Sequence, residues 1–163
     1  MGALYYYIKS KDDILSLFQE ISSSMLSDFT REHYAELLQM SSQEALNKAV
    51  DALITFIDET QDFTLFWYQE SKNLKPDELN KLLRYENDVV DLIRRLLQWG
   101  SDSGDFEIDD VNVVAQDIMV LCDMWAFRRW SLRHDYSLEK FKDEQKKVIS
   151  KIVRCRAKTD DKQ

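Results

Sequence analysis

Glycine and proline are nearly missing from this sequence: three Gly and one Pro leave few turn signals in 163 residues. Scarce breakers favour helices over short strands and tight hairpins. Three glycines cannot build a phosphate-cradling loop, and neither GxGxxG nor GxxxxGK followed by Ser or Thr occurs. HExxH and GxSxG are missing as well, so the common hydrolase signatures are excluded. Only two histidines are present, His33 and His134. Neither has a glutamate three residues earlier, which removes the Glu-x-x-His signature of di-iron bundles. Both sit among polar neighbours and are expected to face solvent. Cys122 and Cys155 make no CxxC pair, which reads as a reduced chain with incidental thiols. No run of about 18 apolar residues exists to cross a membrane. No charged-then-apolar leader follows Met1 either, so a cytoplasmic chain without membrane partner, cofactor, metal or enzymatic activity is expected.

What is present is apolar and acidic. Hydrophobic residues make up 44% of the chain, enough for a sizeable core in one domain. The net charge of −8 argues against a surface coated for nucleic acid. Basic character is concentrated at the ends. Residues 1–11 hold Lys9 and Lys11 with no acid, and seven Lys or Arg face two acids between Phe141 and Lys158.

The apolar spacing is helical throughout. Ser10 is placed to cap a helix through Ile14, Phe18, Ile21, Met25 and Phe29 to about Leu38. In "SSQE", Ser41 and Glu44 form a capping box that opens a helix to about Thr60. The aromatic stretch "DFTLFWYQESKNL" suits a short helix ending near Asn73. Pro76 stands at the first position of a long helix that Gly100 should end. "SDSGDFEIDD" is a loop. Asp109 or Asp110 caps a further helix to about His134, with Val111, Val114, Ile118, Leu121, Cys122, Trp125 and Ala126 as its stripe. Ser137 caps the last, with Phe141, Val148, Ile149, Ile152 and Val153 apolar. No strand pattern or repeat intervenes, and the fold class is all-α.

The opening "GALYYYIKSKDDIL" resembles the end of the helix-turn-helix in the TetR/AcrR family of bacterial transcriptional regulators. Gly2, Leu4, Tyr5, Tyr7, Ser10, Lys11 and Ile14 match the family pattern, while Ile8 replaces its aromatic. The resemblance implies that residues 1–11 are the recognition helix and its exit, with the first two helices of that domain missing ahead of Met1. It implies a helical ligand-binding and dimerisation domain over 12–158, and 159–163 remain as a tail. Carried over by position, Tyr5, Tyr7 and Lys11 would hold operator phosphates, fixing register without reading sequence. Ala3 and Tyr6 fall where base edges are approached.

The resemblance also implies a ligand-responsive homodimeric repressor with a small apolar effector. Phe56, Phe63, Phe66, Trp67, Tyr85, Met119 and Trp125 are the candidate pocket aromatics and thioether. The same residues at helical spacing also suit a plain core. Glu70, Arg84, Arg94 and Arg128 are candidate polar groups. "WYQESKNLKPDELNKLLRYE" and "MWAFRRWSL" resemble members that answer to fatty acyl-CoA thioesters. The last two helices would pair with those of a second copy, with Trp130, Val148, Ile149 and Ile152 at the interface. The alternative is a helical small-molecule-binding or scaffold protein with no DNA role.

Overall fold

The structure, a computed structural model, describes residues 39–70, 72 and 75–153, excepting the side chains of Phe63, Phe66, Trp67, Glu70, Glu78, Lys81, Leu82 and Tyr85. The expected first helix, the tyrosine stretch and Cys155 lie outside the described residues. Those described form six helices: α1 (Ser42–Glu59), α2 (Gln61–Glu70), α3 (Pro76–Asp102), α4 (Val111–Phe127), α5 (Arg129–Asp135) and α6 (Leu138–Ile152). No strand occurs among them, so the all-α expectation holds.

Local chemistry explains where these helices start. Ser41 Oγ accepts from the Glu44 N–H at 3.3 Å, while Glu44 Oε2 accepts from the Ser41 N–H at 2.9 Å. That is the capping box read from "SSQE". Asp110, one of the two candidates, caps α4 by accepting from the N–H groups of Asn112 and Val113. Ser137 does the same for α6 through the Lys140 N–H. Pro76 opens α3, where its missing N–H leaves no helical bond unmade.

Packing centres on α4, which touches every other described helix. Its Ala115, Ile118, Cys122, Trp125 and Ala126 are buried against α1 residues Leu46, Val50, Leu53 and Ile54 and α3 residues Val90, Ile93 and Leu97. From α6 come Phe141 and Ile149, which close the core beside Val153.

Two boundaries differ from the sequence reading. Gly100 does not end α3; the helix runs on to Asp102, and Gly104 adopts the left-handed backbone at φ 76°. Gly100 is bare for another reason: the buried Phe106 ring lies where a Cβ would stand. The helix expected to reach about His134 in one piece breaks at Arg128, whose φ of −106° and ψ of 21° leave the α region. The offset segment α5 buries no residue of its own. Two ion pairs attach it to α1 and α2, Arg133 to Asp58 and Arg129 to Asp62.

Candidate functional site

One buried carboxyl stands where α2, α3 and α4 meet. Tyr68 on α2 donates its hydroxyl to Asp123 Oδ2 on α4 at 3.0 Å. Its ring meets Phe127 edge-on with centroids 4.5 Å apart. Asp123 is only 7% exposed, although it follows Cys122 in an apolar run. Burial pushes its carboxyl up to about 6; the Tyr68 hydrogen bond works against that rise, and the Glu86 charge from α3 adds to it. Burial also raises Glu86. The Tyr68 phenol is raised by burial and then by Asp123. Burial likewise raises the fully buried Cys122 thiol, which therefore stays protonated and unreactive. The result is a carboxyl held above the usual carboxylate range, bonded to a phenol and within the field of a second acid.

A second polar group is only half-buried. Asp58 at the end of α1 accepts from Trp125 Nε1 at 2.8 Å and from the Arg133 guanidinium. Arg133 also lies over the Trp125 ring, 5.4 Å from its centroid, and Phe141 packs on that ring at 4.8 Å. Trp125 is 2% exposed. Its polar atom and both ring neighbours are supplied within the chain. Phe56 is likewise buried, and Met119 is half-buried against the core. Phe63, Phe66 and Trp67 belong to α2 and Tyr85 to α3, but their side chains lie outside the described residues.

The candidate polar groups separate. Arg84 lines an open groove of about 670 Å³ on α3 with Asp77, Asn80, Leu83 and Asn87. Arg94 pairs with Asp91 on its own helix, and Arg128 is exposed. Glu70's side chain lies outside the described residues. His134 is exposed as expected, and no cluster of metal-ligating side chains exists among the described residues.

The expected interface residues also divide. Trp130 is 84% exposed, Val148 is exposed and Ile152 half-buried. Ile149 is 0% exposed and belongs to the chain's own core, a correction to its expected place. The reason is helical phase: Phe141, Gln145 and Ile149 recur every four residues and face inward, which turns Val148 out. Val113 and Val120 on α4 are more than half exposed and were missed in the sequence. Their seven-residue spacing, outside the stripe, was the available signal. For Asp123 the signal was an acid inside the run Ile118–Ala126.

A bundle of helices packed around a central α4, with a buried carboxyl where three of them meet, defines an all-α helical domain. The family model described as tetracyclin repressor-like, C-terminal domain, matches residues 39–130, and the chain belongs to that family. Solved structures agree in fold. A tetR-family bacterial regulatory protein from Rhodococcus superposes with a TM-score of 0.77 at 18% identity, over 96% of this chain and 80% of that one. The TetR family transcriptional regulator PfmR from Thermus thermophilus gives 0.67 at 22% identity, over 96% and 82%. The transcriptional regulator FadR from Bacillus subtilis, in complex with stearoyl-CoA, gives 0.68 at 17% identity, over 93% and 81%. No curated protein matches the chain. Among the described residues no helix is long and apolar enough to cross a membrane.

Proposed function

We propose that this TetR-family chain is a ligand-responsive, homodimeric transcriptional repressor acting in the cytoplasm. The observation that carries the dimer is the outward apolar surface of α4 and α6, Val113, Val120 and Val148, in a domain whose core is already closed. Apolar surface left on the outside of a finished bundle calls for a partner. Residues 1–11 supply the DNA-reading part, with Tyr5, Tyr7 and Lys11 on phosphates and Ala3 and Tyr6 toward bases, and 12–158 supply the ligand-binding and dimerisation part.

The effector is a small, mostly apolar molecule admitted between α2, α3 and α4. Phe63, Phe66, Trp67, Tyr85 and Met119 lie on those helices. Asp123, Glu86 and Tyr68 are the polar groups at that junction. The likeness in fold to FadR, whose structure holds stearoyl-CoA, makes a long-chain acyl-CoA the first compound to test. Effector binding acts by favouring one separation of the two DNA-reading heads over another.

The test is fluorescence anisotropy of the dimer, carrying the complete helix-turn-helix, on its own promoter DNA. Specific, salt-dependent binding that an effector reverses is expected. A chain that binds acyl-CoA or another lipophile but no promoter DNA would be a helical binding protein instead.

A further inference from the structure

The two ends of α4 differ in shape and in charge. At its start, Ile108, Val113, Val114 and Ile152 line a notch of about 260 Å³ whose rim carries Glu107 and Asp109. That volume lies below the roughly 300–1,000 Å³ of small-molecule pockets and suits a single large side chain. Past its other end, Trp130 stands 84% exposed, with the Arg129 guanidinium 4.9 Å from its ring centroid and Arg128 exposed beside it. Each chain therefore carries an apolar hole with an acidic rim and an aromatic knob with basic neighbours. The 17 residues of α4 separate them by about 25 Å.

We infer that Trp130 of each chain seats in the notch at the α4 N-terminus of a second copy, so that the two α4 helices run antiparallel across the dimer axis. The inference rests on the homodimer proposed above and specifies its register. In a two-fold interface every contact occurs twice, so one knob and one hole per chain are enough to close it. Antiparallel packing sets Arg128 toward the partner's Glu107 and Asp109. Parallel packing would set Trp130 against its own copy and the two acidic rims against each other, which like charges disfavour. Buried tryptophan and arginine are the residue types that dominate interface energetics. Val113 and Val120, two turns apart on the exposed side of α4, continue the apolar contact between knob and hole.

The experiment uses the full-length protein in a Cys155→Ser background, with Ser131→Cys, beside the retained Trp130, and Asp109→Cys introduced together or singly. A short bismaleimide should link the double variant into a covalent dimer at least about tenfold faster than either single variant, because the paired thiols share a high effective concentration. Trp130→Ala should weaken dimerisation at least about tenfold while circular dichroism is unchanged. A dimer by light scattering that links through Ser131→Cys alone, or not at all, overturns the register and leaves the dimer standing. A dimer whose dissociation constant ignores Trp130→Ala overturns it too. A monomer defeats both.

Discussion

The Tyr68 hydroxyl on α2 and the Asp123 carboxylate on α4 are joined by a 3.0 Å hydrogen bond at the edge of the core. One partner is half exposed and the other is almost wholly buried. The bond thus ties a short helix to the central one through a group whose charge is disfavoured by its burial. A molecule entering beside Tyr68 would change both the hydrogen bond and the charge of Asp123. Under the proposed function, that would give an effector a route into the packing of α4, which touches all the other described helices.

Asp123 sets the first prediction. Its carboxyl rises from the usual value near 4 to about 6 on folding, chiefly because burial disfavours the charge. The folded state then holds more protons than the unfolded one between those values. Stability falls as pH rises from about 4 to about 6, and stays at the lower level above. Asp123→Asn keeps an acceptor for Tyr68 and removes the charge. It should stabilise the protein at pH 7.5 by an amount on the order of 2 kcal/mol and should not below pH 4. Urea melts of both proteins across that range are the check; equal curves at every pH would rule the account out.

Asp58 sets the second. It accepts from the buried Trp125 indole and from Arg133, but the two partners differ in worth. The side chains of the Arg133 pair are 43% and 31% exposed, so water screens that attraction. Removing the arginine, Arg133→Ala, should cost less than about 1 kcal/mol. Asp58→Ala strands a buried N–H and should cost about 1–3 kcal/mol, with Asp58→Asn recovering part of it. The double variant measures the coupling directly. A loss at Arg133 as large as that at Asp58 would mean the ion pair, not the indole bond, dominates.

Glycine placement sets the third. A Cβ on Gly100 would lie 2.1 Å from Phe106 Cδ2, inside the ring. The ring is itself buried, so Gly100→Ala should cost about 1–3 kcal/mol through overpacking, and adding Phe106→Leu should return some of that. Gly104 meets no neighbour within 4 Å but holds φ at +76°. Gly104→Ala should therefore cost only about 1 kcal/mol, by backbone strain alone, and Phe106→Leu should not relieve it. Chemical denaturation of the four proteins separates the two causes.

Local rules made much of this fold legible. The capping box at Ser41 and Glu44, Pro76 at a helix start and the caps at Asp110 and Ser137 each depend on a few adjacent residues, and each is found. What failed depended on distant groups. Nothing near Gly100 announces that Phe106 needs its surface, and nothing near Arg128 announces Asp58 and Asp62 on other helices. The contacts that Asp58, Phe141 and Arg133 make with Trp125 come from other helices and were not legible either. Asp123 was legible only as an oddity in an apolar run. Its partners Tyr68 and Glu86 come from helices whose packing the sequence does not state.

Neighbouring residues on α6 set the last prediction, which separates folding from assembly. Val148 is exposed on a single chain, whereas Ile149 is 0% exposed within it. One step along a helix turns a side chain by about 100°, enough to move it from outer face to core. Ile149→Asp forces a carboxylate into the contact with α1 and α4 and should unfold the chain, or protonate at a cost of several kcal/mol. Val148→Glu touches no core residue and should leave helical content and the monomer's cooperative melt intact. If α6 meets a second copy, Val148→Glu should still shift light scattering from dimer toward monomer, because it buries two like charges across the axis. A Val148→Glu protein that remains a dimer at nanomolar concentration would place the interface elsewhere. An Ile149→Asp protein that stays folded and merely dissociates would return Ile149 to the interface and displace it from the core.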